Sequence, residues 1–431
     1  MSDEEIPPSL SALSPELIDN ILLEIDSVYA LGNFIIASRY VRRCFQGRKH
    51  VVVWRVLQNE LGPVLKDAEF LRLLPHANPG NSTGDQYRDW VQNMAAVYRE
   101  ILRGSGRGRA GGYVTVPSFA ELIELCRTLH TMNFLASTYI TAQLRSFSGS
   151  EAAAAPPSRV ERLRVLRAFY RRQIVCNAWS PTRRAPRWTN QDIAVIGTNT
   201  MSSDLRGAPL GLFAVFEPWE LQQVDHADWF VTQLCAALCA YGIPQPIYKA
   251  EFGDIFFHPD HLVQYMREYP RITEPVLRDL LPPPRRSQEP PDDVAACSHY
   301  VERYNLLSLH FLIHTIQLES FPDPTRHQRD AQPWWECGSG LSVQFVGDAV
   351  DLPPFGWVDA LDGNCFEDVL LDLSPETQLQ DGKETYLARY LSLDLWRRTG
   401  FALWDQRRVE ALRELDGLRT LRTGWLMCRT R

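Results

Sequence analysis

The chain has 431 residues, 45% hydrophobic and 23% charged, a composition that excludes wholesale disorder, a collagen-like repeat and a membrane-embedded bundle. At roughly 150 residues per domain this length is a prior of about three domains. Acids outnumber bases 52 to 45, for a net charge of −7, which argues against a surface built throughout for nucleic acid and leaves room only for a local basic face.

The opening residues, MSDEEIPP, are acidic and proline-bearing, and no secretory leader is expected. The longest apolar-looking stretch, Leu234 to Ile243, ends at Pro244 and is about half the roughly 20 residues that span a bilayer. No membrane contact is expected. Nine cysteines occur without one C-x-x-C pair, which fits reduced thiols in a cytoplasmic or nuclear chain. Only four basic residues are lysine: Lys49, Lys66, Lys249 and Lys383.

Ser14-Pro15-Glu16 combines a capping hydroxyl, a proline tolerated at the first helical position and an acid facing the positive helix end. A helix is expected from Pro15, with Leu17, Ile18, Ile21, Leu22 and Ile25 as its apolar stripe. Asp26-Ser27 can cap a second helix carrying Leu31, Phe34 and Ile35, and Ser38 a third short one ending near Phe45. Short helices of this kind are marginal alone, so Leu13, Leu17, Ile18, Ile21, Ile25, Leu31, Phe34 and Ile35 need a cover. That cover is either the following helices of the same chain or a helix of a partner.

Residues 13 to 45 resemble the F-box, a three-helix module that docks onto the Skp-type adaptor of a cullin-RING ubiquitin ligase. The match runs through Leu13-Ser14-Pro15-Glu16-Leu17-Ile18, Ile21-Leu22, Ile25, Leu31, Phe34-Ile35 and Ala37-Ser38-Arg39. It looks most like the divergent F-box-like segments of filamentous-fungal proteins; Ser14 stands where a first proline is usual, and Phe45 where a closing tryptophan is usual. The resemblance implies a Skp-type adaptor, and through it a cullin-RING ligase, as partner, and an unknown protein as target. The implied contact residues are Leu13, Pro15, Leu17, Ile18, Ile21, Leu22 and Leu31. No catalysis by the chain itself, no cofactor and no metal are expected.

Further helices are expected at 48–61, stopped by Gly62-Pro63, and at 67–74, 87–102 and 119–147, the last as one long or two shorter helices. Beyond these, helices are expected at 159–178, 225–241, 259–268, 294–318 and 386–418, the last interrupted at Thr399-Gly400. The fold class is therefore mainly α: a small N-terminal three-helix F-box-like module (10–50) followed by a larger irregular helical body. Within that body the expected divisions are a helical region at 51–147, a linker at 148–158, a helical region at 159–280, a proline-rich linker at 281–293 and a C-terminal mainly helical region at 294–431.

Other motifs carry little chemistry. Gly106 to Gly111 matches G-x-G-x-x-G but lacks the preceding strand and following helix of a dinucleotide site. His310 and His314, and His258 and His261, have metal-ligand spacing without neighbouring Cys or Glu. Gly338-Ser339-Gly340 lacks the spacing of a nucleophile elbow. From Arg389 onward ten arginines face five acids, a pattern expected of core-facing helices with a charged outer side.

Overall fold

Three serines start the first three helices of the computed structural model, which describes residues 10–74, 84–102, 117–179, 215–216, 218–240, 259–268, 271, 354–356 and 399–414. α1 runs Pro15–Glu24, α2 Val28–Ala37 and α3 Arg39–Leu61. The hydroxyls of Ser14, Ser27 and Ser38 accept the amide hydrogens of Leu17, Ala30 and Val41, three donors of the first helical turns. α3 contains the expected third and fourth helices joined end to end: Arg48, at φ −130° and ψ 17°, leaves helical geometry where the two meet. Gly47 just before it is the residue type that most often ends a helix.

The remaining helices are α4 (Leu65–Leu73), α5 (Gly84–Leu102), α6 (Phe119–Ser146), α7 (Glu151–Ala154), α8 (Arg159–Trp179), α9 (Pro218–Ala240), α10 (Pro259–Glu268) and α11 (Gln406–Arg413). Every regular element among the described residues is helical, so the fold is mainly α, as expected. α6 is one helix opened by a reciprocal cap: Ser118 Oγ accepts from the Glu121 amide at 3.3 Å, and Glu121 Oε2 from the Ser118 amide at 2.7 Å. α9 starts two turns before the expected Asp225, with Pro218 and Glu220 in its first turn.

The 148–158 stretch is a packed corner. It contains α7, whose Ala153 is buried, and Arg408 of α11 donates to the carbonyls of Ala153 and Pro156. Alanine suits such close contact because it orders almost no side-chain entropy. The expected helix at 294–318, the linker at 281–293 and most of 386–418 lie outside the described residues.

α8 is the axis of the body. It packs on α4, α6 and α9, and every residue from Leu163 to Ala178 is buried. Beside it the Tyr139 ring meets Phe169, Phe230 and Trp404 at 6.1, 5.1 and 6.1 Å between centroids. The break expected at Thr399-Gly400 is what lets Trp404 enter this cluster. Gly400 has φ +70°, and a Cβ there would lie 2.2 Å from the Tyr139 hydroxyl, so glycine answers both the left-handed backbone and the lack of space.

Candidate functional site

α1 and α2 both pack on α3, and polar side chains of α3 hold them there. Tyr40 donates its hydroxyl hydrogen to the Leu13 carbonyl at 2.9 Å, at the start of α1. At the other end Asn59 Nδ2 donates to the carbonyls of Leu23 and Ile25 at 2.9 and 3.0 Å, two acceptors that the end of α1 leaves without helical donors. Glu60 Oε2 accepts from the Val28 amide at 2.7 Å, and its Oε1 from Asn133 of α6 at 2.9 Å. Burial pushes the Glu60 carboxyl above its ordinary range, against the lowering effect of these two donors.

This clamp splits the apolar stripe of α1 into two ridges. Ile18 and Leu22 are fully buried, and Leu31 of α2 is 3% exposed; these three, expected to touch a partner, are sealed within the chain's own packing. Leu17 and Ile21 are 51% and 40% exposed. Pro15 is also exposed and Leu13 half-buried. The outward set is therefore Leu13, Pro15, Leu17 and Ile21, with Leu10 exposed just ahead of it. Residues 17 and 21, like 18 and 22, are four apart and stack along one side, while a one-residue step turns the side chain by about 100°. Tyr29 and Ile36 of α2, 80% and 84% exposed, add apolar surface that the apolar pattern of α2 did not single out.

Inside the body lies a group of charges that the sequence analysis missed. Asp67 of α4 receives Arg171 Nε at 2.9 Å, has Arg167 Nε at 3.4 Å, and accepts from the Tyr98 hydroxyl. Arg167 Nη2 and Arg171 Nη1 both reach Glu220 Oε1 at 2.7 Å. Two cations and two anions thus balance where each side chain is at most 3% exposed, the pairing that burial of charge demands. Burial, reinforced by the Asp67 charge, pushes the Tyr98 hydroxyl well above its ordinary pKa, so it stays a donor. Burial works against the charge on Arg171, yet Glu220, Asp67 and Tyr98 hold its pKa above the usual value.

Two neighbouring pairs follow the same rule. Arg172 meets Asp228 at 2.9 Å, and burial pushes the adjoining thiols of Cys176 and Cys235 up to about 11 and about 12; protonated at neutral pH, they are poor nucleophiles. Glu161 of α8 takes Arg408 Nε and Nη2 at 2.8 and 2.9 Å, while Asp405 takes Arg164 at 2.7 Å and Ser158 Oγ at 2.6 Å. Despite burial, Arg408 and the amides of Ser158 and Asp405 keep the Glu161 carboxyl below its ordinary range.

A signal for the buried arginines stood in the sequence. Leu163, Val165, Leu166, Phe169, Tyr170, Ile174 and Val175 fall on every side of α8 between its arginines, and a helix without a wholly polar face has no side to turn to water. Among the described residues no group of three or more His, Cys, Asp and Glu is gathered to hold a metal ion, and no described helix is long and apolar enough to cross a membrane. Residues 106–111, His258, His310, His314 and 338–340 lie outside the described residues. No protein-family model, curated protein or solved structure matches the chain.

Proposed function

We propose that the chain is an F-box-like adaptor: the outward ridge of α1 docks on a Skp-type subunit of a cullin-RING ubiquitin ligase, and the helical body holds a target for ubiquitination. The observation that carries this reading is the half-exposed pair Leu17 and Ile21, aliphatic side chains one turn apart on a helix whose adjacent ridge is already anchored. Exposed aliphatic anchors at this spacing are what helix-packing recognition uses. The chain itself performs no catalysis in this reading; it raises the effective concentration of a target lysine near the charged ubiquitin carrier, in the cytoplasm or nucleus. The scarcity of lysine limits self-modification, and Lys66 is further engaged with the Leu102 carbonyl at 2.7 Å. Mass spectrometry of chain recovered during normal turnover should find little ubiquitin on Lys49 and Lys66.

The double variant Leu17→Asp, Ile21→Asp tests the docking. Both side chains face water, so circular dichroism and melting should match wild type while capture of the adaptor is lost. Capture at wild-type strength by the folded variant rejects the reading. The burial of Ile18, Leu22 and Leu31 favours a second reading, a non-catalytic scaffold whose first helices belong to its own core; that scaffold would bind no adaptor in either form.

A further inference from the structure

From Ser27 to Asn59 the chain has no Asp or Glu, yet Arg39, Arg42, Arg43, Arg48, Lys49 and Arg55 all fall there. All six are exposed. Arg48 meets Asp19 at 2.9 Å, and Lys49 lies 4.4 Å from the centre of the Phe119 ring. Arg39, Arg42 and Arg43 have no acidic partner among the described residues. They occupy the first turns of α3, where the first turn carries no acid and the helix dipole is positive. Folding alone favours the opposite charge at this end.

Their position relates them to the open ridge of α1. The Tyr40 hydroxyl reaches Leu13, and Arg48 reaches Asp19, so the first half of α3 lies alongside α1 from its start to its second turn. Ile36, 84% exposed, lies in the last turn of α2, three residues before Arg39. Among the described residues, exposed aliphatic side chains and arginines without an acidic partner therefore occur on three helices that pack together. We propose that Arg39, Arg42 and Arg43 form a basic rim to the apolar ridge, and that the partner surface seated there is an acidic protein segment carrying aliphatic anchors among Asp and Glu.

This inference rests on the docking reading above and specifies the chemistry of the partner. Arginine pairs carboxylates in a bidentate fork, and an interface with an apolar centre and a charged rim is the usual anatomy of protein recognition. A nucleic acid would satisfy the arginines but leave Leu17, Ile21 and Ile36 in water. For base stacking it would find Tyr29 as the only aromatic ring among the large exposed side chains described.

The test measures association of the full chain with the purified adaptor subunit at about 50 and about 300 mM salt. Wild type should associate about tenfold more slowly at the higher salt, as rim charges steer encounter. The variant Arg42→Glu, Arg43→Glu should lose about tenfold at low salt and show little salt dependence, with the neutral Arg42→Gln, Arg43→Gln pair between the two. Leu17→Asp should abolish binding at both salts. Arginine variants that keep the wild-type rate and salt dependence overturn the rim while the docking reading stands. A wild-type chain that never binds the adaptor overturns both. A DNA duplex bound by wild type and released by the arginine variants assigns the face to nucleic acid and overturns the acidic protein partner.

Discussion

α3 and α8 are long arginine-rich helices, of 23 and 21 residues, and beyond the exposed Arg159 and Arg162 in the first turn of α8 their arginines end in opposite places. Those of α3 stand in water, while Arg164, Arg167, Arg171 and Arg172 of α8 are 7% exposed or less. The arginines themselves do not decide this. α8 is met by Asp67 of α4, Glu220 and Asp228 of α9 and Asp405 ahead of α11, brought from three other parts of the chain, whereas the stretch holding the basic residues of α3 has no acid of its own. Burial of a guanidinium follows from the acids that tertiary structure delivers to it; among the described residues α3 receives only Asp19, at Arg48, and its arginines stay at the surface.

The sharpest way to break this contrast is to remove an acid from the interior. Asp67→Ala leaves Arg167 and Arg171 to share Glu220, and should destabilise the body by about 3–5 kcal/mol in urea unfolding. Joining Asp67→Leu to Arg171→Met should restore much of that loss, because apolar replacements of a buried pair are often neutral; if the single and double variants are equally unstable, the charge imbalance is not the cause. Next in size, Ile18→Ala should cost about 2–4 kcal/mol and Leu17→Ala within about 0.5 kcal/mol, since only the first empties a packed site. Equal losses would mean that both ridges are buried.

Glu60 gives a pH-dependent test at the boundary between the two regions. Burial raises its folded pKa above the unfolded value, so between those values the folded state holds more protons, and stability falls as pH rises through that window. Glu60→Gln should remove this part of the slope, with urea midpoints followed from about pH 4 to about pH 7; parallel slopes for wild type and variant would refute it. The smallest effect belongs to the exposed pair of Arg48 and Asp19, 2.9 Å apart. Arg48→Ala should shift stability by less than about 1 kcal/mol, and the difference should shrink in high salt.

Capping was the most legible part of the chain. Ser14, Ser27 and Ser38 act within three residues of themselves, so local sequence contains all the information needed, and α10 has the bounds that its proline and periodicity imply. The two helices that meet at the Arg48 kink are legible as two, one opened by the Ser38 cap and the other closed by Gly62-Pro63. The split between Leu17 and Ile18 was illegible. Five apolar positions on α1 make a stripe wider than one neighbouring helix covers, and which edge stays open depends on where Tyr40 and Asn59 fasten it. The interior ion pairs join residues as far apart as Glu161 and Arg408, a separation at which neither periodicity nor motif carries information.

That last separation has a consequence during synthesis. Glu161 leaves the ribosome 247 residues before Arg408, an interval of roughly 10–50 seconds at ordinary elongation rates. Until the distal segment arrives, the nascent polypeptide shows its Tyr139 pocket without Trp404 and its α8 entrance without a counter-ion. Premature termination after α9 and before Gly400 leaves both of these surfaces open, the kind that chaperones hold and quality-control proteases remove.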